Sequence, residues 1–390
     1  MSKGRFVIVT SYPIFDEPVI RNRITAYVNV FSSAGWNVTV VAPASHRVAA
    51  HAVPDYLPGC EVKCISAENW DRRNFVIRGF HELKQSWRLL KMTAGLRPDV
   101  VLVTIPTIFL LLFALRRCAR VHVADVRDLV WEYLPKRPWW KGIVQGVLKM
   151  GALLALRRAD VIAVSNPYQL HYVERYVNSR RSLLVPNGIG RKQFDQLNKL
   201  AHQPGPNGVL RVTYIGNVGI AQNLTTLVDA VAGISHLQVN VIGSGTDFER
   251  VRMAVNHRVA SNVCLHGPML WEEAIHWYSN SDVLYAQLSP AFSTAMPSKL
   301  YEYLATGLPV IYGGNGVAVE LLSDFSGVTI VEPDSPKTLR LTLLGMLERA
   351  AAERSAENLD CIRRRYIRED HVMAIEDVVS QCNQPGQDPG

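Results

Sequence analysis

Lys299 and Glu302 stand in the run 291–314, AFSTAMPSKLYEYLATGLPVIYGG, with a proline and a serine just before them. Pro297 suits the first turn of a helix, because no backbone donor is needed there. The pattern predicts a helix over 297–306, closed by Gly307-Leu308-Pro309 before the next strand. Such a helix start offers unsatisfied N–H groups and a positive dipole end, a ready place for phosphate. Lys299 adds a full charge beside it. Glu302 falls one turn later on the face of Ser298 and Lys299, where a carboxylate can accept hydrogen bonds from ribose hydroxyls. Together these residues suit a nucleoside diphosphate, and they can stabilise a departing phosphate without a metal. A core helix with an exposed charge pair would carry the same residues.

A second pair is Arg127-Asp128, in VADVRDLVWE after a strand-like run. A guanidinium can grip a phosphate or a sugar through two hydrogen bonds. A carboxylate can orient an acceptor hydroxyl or take its proton. A salt bridge that fixes the loop would use the same two residues. Arg21 and Arg23, in SYPIFDEPVIRNR, can reach a donor phosphate or a lipid diphosphate, or simply stay solvated. There is no DxD sequence, and His122, His171 and His266 lack metal-ligand spacing, so no metal is expected.

The elements that must position these residues alternate. β-rich runs at 5–10, 37–42, 99–104, 121–125, 161–164 and 183–186 are separated by helical patterns near 19–34, 82–95, 107–118, 140–157 and 168–177. A polar stretch ending in HQPGPNG at 202–208 breaks the rhythm. It restarts with β-rich runs at 210–215, 237–242, 263–266, 283–287, 309–312 and 328–332. Helical patterns near 223–232, 247–256, 271–279, 317–322 and 336–354 join that of 297–306. Strands alternating with helices imply parallel sheets. The expectation is an α/β chain of two Rossmann-like doubly wound domains facing across a cleft. They are placed at 1–190 and 209–382, with a linker at 191–208 and a disordered tail at 383–390. The last helix is expected to pack back on the first domain. Ligands of such sheets bind beyond the carboxyl ends of the strands.

The 390 residues are 48% hydrophobic and 19% charged, which suits ordinary cores. The opening MSKGRFVIVT runs directly into a strand, without the pattern of a signal peptide. The longest apolar stretch, 100–115, is interrupted by Thr104, Pro106 and Thr107 and reads as a strand, a turn and a core helix. Six scattered cysteines without a CxxC pair predict reduced thiols. The net charge of +8 is uneven: residues 1–200 hold 29 Lys and Arg against 14 Asp and Glu, the remainder 13 against 20. Nucleic acid, an anionic membrane and a phosphorylated acceptor all fit such a basic half, as does plain solubilisation. In 137–158, RPWWKGIVQGVLKMGALLALRR, Trp139, Trp140, Lys141, Lys149 and Arg157 flank a broad apolar face. That composition suits a membrane interface, or a helix packed on the sheet.

The run PSKLYEYLATGLPVI resembles the donor-site helix of retaining glycosyltransferases of family four, which have the GT-B fold. Similar segments follow the family's order: VPNGI at 185–189, YIGNVGIAQNLTTLVDA at 214–230, IGSGTD at 242–247, HGPM at 266–269 and SDVLYAQL at 281–288. The resemblance spans nearly the whole chain and is stronger in its second half. It implies a donor site of Gly216, Asn217, Gly219, Gln222, Gly243, Gly245, Gly267, Met269, Thr294, Ser298, Lys299 and Glu302. It also implies Asp128, Arg127 and Lys299 as the residues of the reaction. There are departures. Thr294 stands where the family usually has a glutamate, and Asn217 and Gln222 stand where many members have Arg and Lys. Arg127 stands where a His often precedes the Asp. Lys299, the basic first half and backbone donors from Asn217 to Gly219 would compensate. This pattern is similar to a subgroup of bacterial surface-polysaccharide enzymes that includes fucosamine transferases.

The resemblance therefore implies a metal-independent, retaining hexosyltransferase without a cofactor. Its donor would be a nucleotide sugar, with UDP the commonest nucleotide and an N-acetylated aminosugar the implied sugar. Its acceptor would be a saccharide or a polyprenyl-diphosphate-linked glycan in surface polysaccharide or glycoconjugate synthesis. A cytoplasmic protein is expected, peripheral on the inner face of an anionic membrane if the acceptor is lipid-linked, with no nucleic-acid partner. A sugar-nucleotide epimerase of the same architecture would use the same residues. So would a non-catalytic sugar-nucleotide-binding protein, which Thr294, Asn217 and Gln222 favour.

Overall fold

The computed structural model describes residues 2–14, 18–44, 57, 59–66, 75–105, 107–113, 118–134, 137, 139–177, 181–203, 205, 208–348 and 354–383. The chain divides into two units. One comprises Met1–Asn187 with Arg368–Gly390, the other Gly188–Ile367.

In the first unit, β1 (Arg5–Val9), β2 (Asn37–Pro43), β3 (Cys60–Ile65), β4 (Val100–Ile105), β5 (Val121–Val126), β6 (Val161–Val164) and β7 (Ser182–Leu184) form one parallel sheet. Its strand order is β3-β2-β1-β4-β5-β6-β7. The helices are α1 (Pro18–Ser33), α2 (Phe75–Gly95), α3 (Ile108–Phe113), α4 (Val130–Tyr133), α5 (Trp139–Leu156) and α6 (Pro167–Val177). Both faces of the sheet are covered, which is why its strands read as continuous apolar runs. Alternate residues serve opposite cores: Phe6 and Ile8 join Tyr27 and Phe31, whereas Val7 and Val9 join Leu89 and Leu110. Phe6 stacks on Phe31 with ring centres 3.8 Å apart. The sequence reading missed β3, whose CEVKCI alternates too many polar residues; it is a partly exposed edge strand. Helix α2 begins at Phe75, earlier than the expected 82.

In the second unit, β8 (Leu210–Ile215), β9 (Leu237–Ile242), β10 (Val263–Gly267), β11 (Val283–Gln287), β12 (Val310–Gly313) and β13 (Val328–Val331) form a parallel sheet of order β10-β9-β8-β11-β12-β13. Its helices are α7 (Arg191–Asn198), α8 (Thr225–Val231), α9 (Phe248–His257), α10 (Trp271–Ser279), α11 (Lys299–Leu304), α12 (Val317–Leu322), α13 (Pro336–Leu347) and α14 (Ala356–Arg365). The expected linker at 191–208 contains α7. Phe194 and Leu197 of that helix, three residues apart, are buried with Ile189 and Tyr303 in this unit's core. Pro204, Pro206 and Asn207 of HQPGPNG lie outside the described residues, as does Pro106.

The chain then rejoins the first unit through α15 (Arg368–Asn383), whose Val372, Ile375 and Val379 enter the core of Phe6 and Phe31. Arg368 donates to the carbonyls of Asn187, at 2.6 Å, and Asn22, at 3.1 Å. Asn383, expected in the tail, ends this helix, and 384–390 lie outside the described residues. Among the described residues no helix is long and apolar enough to cross a membrane.

Each sheet reverses its strand order once, between β1 and β4 and between β8 and β11. Doubly wound sheets hold ligands beyond the strand ends at such reversals.

Candidate functional site

At the reversal in the second unit, β8 ends and the chain turns at Gly216, with φ of 148°. Only glycine adopts that backbone without strain. A Cβ there would also lie 2.8 Å from Lys299 Nζ, so the turn and the lysine are in contact. Gly243 turns the chain after β9 with φ of 143°, and a Cβ on it would land on the Gly216 carbonyl oxygen. Backbone bonds join the strand ends. Gly216 N donates to Ile242 O (2.9 Å), Val218 N to Ser244 O (2.9 Å) and Gly243 N to Gly267 O (2.7 Å). Gly245 lies against the carbonyl of Val218. Gly216, Asn217, Gly219, Gln222, Gly243, Gly245, Gly267 and Lys299 are thus brought together.

Lys299 Nζ sits 3.9 Å from the centre of the Tyr214 ring and donates to the Tyr214 hydroxyl. That hydroxyl in turn donates to Asn217 O at 2.5 Å. Lys299 makes no ion pair among the described residues. Burial pushes its ammonium down to about 7, with the Glu302 carboxylate opposing. A cation held against its own solvation is one that an arriving anion would stabilise. Glu302 accepts from the Tyr278 hydroxyl at 3.0 Å. Tyr303, edge-on to Tyr278, accepts from Ile215 N at 2.8 Å and donates to Ile215 O at 3.2 Å. Tyr303 pegs α11 to the end of β8, and Tyr278 ties it to α10. Sequence reasoning missed Tyr214, Tyr278 and Tyr303. The Lys299-to-Tyr303 spacing of one helical turn was the available signal.

Three expectations about this site change. Helix α11 is six residues long, not 297–306, and Ser298 caps it without a side-chain bond. Its first turn is tight: Leu300 N bonds Pro297 O (3.2 Å) and Tyr301 N bonds Ser298 O (3.3 Å). So short a helix adds little dipole, and the ammonium is the main positive charge. Second, the backbone donors expected from Asn217 to Gly219 are mostly taken. Val218 N bonds Ser244 O, and Gly219 N bonds Gln222 Oε1 at 3.2 Å. Third, the Asn217 and Gln222 side chains bond each other at 3.3 Å. Thr294 and Met269 lie half-buried on the segments that follow β11 and β10.

The loop carrying Asn217 and Gln222 rests on a polar support that sequence reasoning also missed. Gln287 Nε2, at the end of β11, donates to the carbonyls of Gln222 (3.1 Å) and Asn223 (3.2 Å) and to Asp334 Oδ1 (3.1 Å). Asp334 N returns a bond to Gln287 Oε1 at 3.2 Å, and Asn223 Nδ2 donates to Asp334 Oδ1 at 2.7 Å. Asn223 and Asp334 both have positive φ, 38° and 57°. A network anchored on the buried Gln287 side chain, with so many partners, holds its loop in one geometry.

In the first unit, Arg127 and Asp128 follow β5, next to the reversal. The Arg127 carbonyl accepts from Gln169 Nε2 (2.7 Å) and Ser165 Oγ (3.1 Å), which fixes its backbone. Its Nε is buried without a hydrogen-bond partner. The two side chains form no salt bridge among the described residues, so the loop-fixing pair is not what the structure contains. Burial pushes the Asp128 carboxyl up, with Arg127 opposing, and burial lowers Arg127. A buried guanidinium nitrogen left so open is a rarity in a folded protein. Arg23 is different. It is 2% exposed and spent on Asp125, with Nε 2.8 Å from Oδ2, and it also donates to Val185 O at 3.0 Å. It is a structural ion pair, not a phosphate ligand.

Residues 20–188 match the family model described as glycosyl transferase 4-like domain, and residues 210–349 match glycosyl transferases group 1. No curated protein matches the chain. Among solved structures it is similar to sucrose-phosphate synthase from Thermosynechococcus elongatus, at 17% identity and a TM-score of 0.76, over 97% of this chain and 98% of that one. It is similar to HepE of Anabaena in complex with UDP, at 12% identity and a TM-score of 0.71, over 97% and 100%. The apo lipopolysaccharide outer core galactosyltransferase WaaB gives 13% identity and a TM-score of 0.62, over 97% and 99%.

Proposed function

From a chain that belongs to the GT-B glycosyltransferases of family four, we propose a retaining, metal-independent enzyme that moves a sugar from a uridine diphosphate donor to a saccharide or polyprenyl-diphosphate-linked acceptor. One observation carries the donor assignment. Lys299 is held over Tyr214, beside the Gly216 turn at the strand reversal, with no ion pair of its own among the described residues. Glycosyl transfer from a nucleoside diphosphate develops negative charge on the leaving phosphate. Only groups that hold this charge better than they hold the bound substrate speed the reaction. A half-desolvated ammonium on a rigid tyrosine is such a group. Glu302, oriented by Tyr278, receives the ribose hydroxyls.

Asp128 is the group we assign to the acceptor hydroxyl, with Arg127 to hold a phosphate or the transferred sugar. A carboxyl whose proton affinity is raised by burial is a better base near neutral pH. UDP is supported by the UDP bound in the Anabaena neighbour. The N-acetylated aminosugar, the fucosamine-transferase-like subgroup and the retaining outcome rest on the resemblance of PSK with Asn217 and Gln222. Synthesis of a surface polysaccharide on the cytoplasmic side is the setting that fits those acceptors.

A thermal-shift series with UDP, ADP, GDP and their sugars tests the donor assignment, because a ligand raises apparent stability with its occupancy. Stabilisation by UDP compounds that disappears in Lys299→Ala and Glu302→Ala is expected. Equal stabilisation of both variants would remove this site from the account. Incubation with donor alone separates the alternatives: an epimerase equilibrates the sugar, and a non-catalytic binder leaves it intact with every acceptor.

A further inference from the structure

The residues that follow β5, 127–132, are gripped by two helices. Gln169, in the first turn of α6, is 3% exposed. Asn166 caps that helix by accepting from Gln169 N at 2.9 Å, which sets where the side chain starts. Gln169 Oε1 accepts from Ser165 N at 2.9 Å, and Nε2 donates to the Arg127 carbonyl at 2.7 Å. An N–H can only donate and a carbonyl can only accept, so a single orientation of the amide satisfies both neighbours.

Tyr172 lies three residues further along, on the same face of α6. Its hydroxyl accepts from Trp131 Nε1 at 3.0 Å and donates to Glu132 Oε1 at 2.6 Å. Helix α5 closes the other side: Gln145 Nε2 donates to Trp131 O at 2.9 Å, and Lys149 pairs with Glu132 at 2.7 Å. Trp131, Gln145, Gln169 and Tyr172 are all buried. Buried polar groups so well partnered define one arrangement of the chain.

Arg127 and Asp128 take no part in this grip with their side chains. Among the described residues neither side chain makes a hydrogen bond or an ion pair. A plain core would use such groups up. A backbone fixed from below, under side chains left open, is how reacting groups are placed before the substrate arrives.

We propose that Gln169 is a positioning residue: by holding the Arg127 carbonyl it sets where Arg127 and Asp128 present their side chains. The role rests on the assignment of Asp128 to the acceptor hydroxyl. Tyr172 and Gln145 hold the far end of the same segment through Trp131.

Gln169→Glu is the narrow test, because it keeps an oxygen for Ser165 N and removes only the donor to Arg127 O. Gln169→Met removes both bonds, and melting curves confirm the fold of each variant. Amide hydrogen exchange over 127–132 is expected to quicken at least tenfold in both, while exchange in the second unit and stabilisation by UDP keep their wild-type values. UDP release from UDP-N-acetylglucosamine, with water in the acceptor's place, is expected to fall at least tenfold in kcat with donor KM unchanged. Wild-type exchange over 127–132 in both variants overturns the proposal. Faster exchange with unchanged kcat also overturns it and makes Gln169 a core residue only. Asp128→Asn separates the two readings. If it releases UDP at the wild-type rate, the assignment of Asp128 falls and the role of Gln169 with it. If it is slow while the Gln169 variants are not, only the role of Gln169 falls.

Discussion

Tyr214 touches Lys299 twice, with its ring face and with its hydroxyl, and the same hydroxyl reaches back to the carbonyl of Asn217. The position of the ammonium and the shape of the glycine turn are therefore coupled through one side chain. A ring face is a weak partner for a charge, worth about 0.5–2 kcal/mol. It holds the lysine in place without neutralising it.

Lys299→Met is expected to lower kcat/KM at least tenfold, about 1.4 kcal/mol of transition-state stabilisation. It should also stabilise the ligand-free protein. The folded ammonium titrates near 7, below the ordinary lysine range, so between those values the unfolded chain binds more protons and wild-type stability rises with pH. At pH 6 the charged lysine costs on the order of 1–3 kcal/mol that methionine does not. Melting curves at pH 6 and pH 9 check this, and the gain should shrink at the higher pH.

The same titration makes donor binding proton-linked. A bound diphosphate favours the ammonium, so binding above pH 7 draws a proton from solution. KM for the donor should rise with pH above about 7, by up to tenfold per unit. Calorimetry in buffers of different ionisation enthalpy measures the proton taken up. Lys299→Arg should keep donor binding and lose this pH dependence, because a guanidinium stays charged.

Gln287→Leu should raise KM for the donor more than it lowers kcat. The substitution removes the bonds that hold the carbonyls of Gln222 and Asn223 and leaves Asp334 with fewer partners. These partners are half-buried or exposed, so each bond lost costs about 0.5–1.5 kcal/mol. A fall in kcat alone, with KM unchanged, would contradict a positioning role for this support.

Glu376→Gln tests the return of α15. Burial raises the Glu376 carboxyl, but bonds from Ser380, Trp36 and Lys3 outweigh it and leave the group below its ordinary value. A depressed carboxyl adds stability above the ordinary carboxylate range, and that stability is lost as pH falls through the folded value. The variant should be about 1–2 kcal/mol less stable at pH 7. Urea titrations at pH 7 and pH 3 should show the difference closing in acid.

The alternation of strands and helices was legible because both sheets are buried on two faces, which makes their strands continuous apolar runs. The turns at Gly216 and Gly243 were legible as glycines directly after such runs. Partners far apart in sequence were not. Arg23 reads as a surface arginine until Asp125, 102 residues away, is placed against it. Tyr214 and Tyr303 read as core tyrosines, because nothing local says that their hydroxyls carry a lysine and a strand end. Helix α7 was hidden by its polar residues, since only Phe194 and Leu197 mark its inner face.

The route of the backbone carries a consequence for biosynthesis. The first unit takes Val372, Ile375 and Val379 from α15 into the core that surrounds Phe31, so it cannot close until α15 has left the ribosome. The second unit is encoded without a break and has all its strands before then. Although domains emerging first usually fold first, here the first unit is completed after the second. A nascent chain halted near residue 367 would present a bare apolar seam to chaperones.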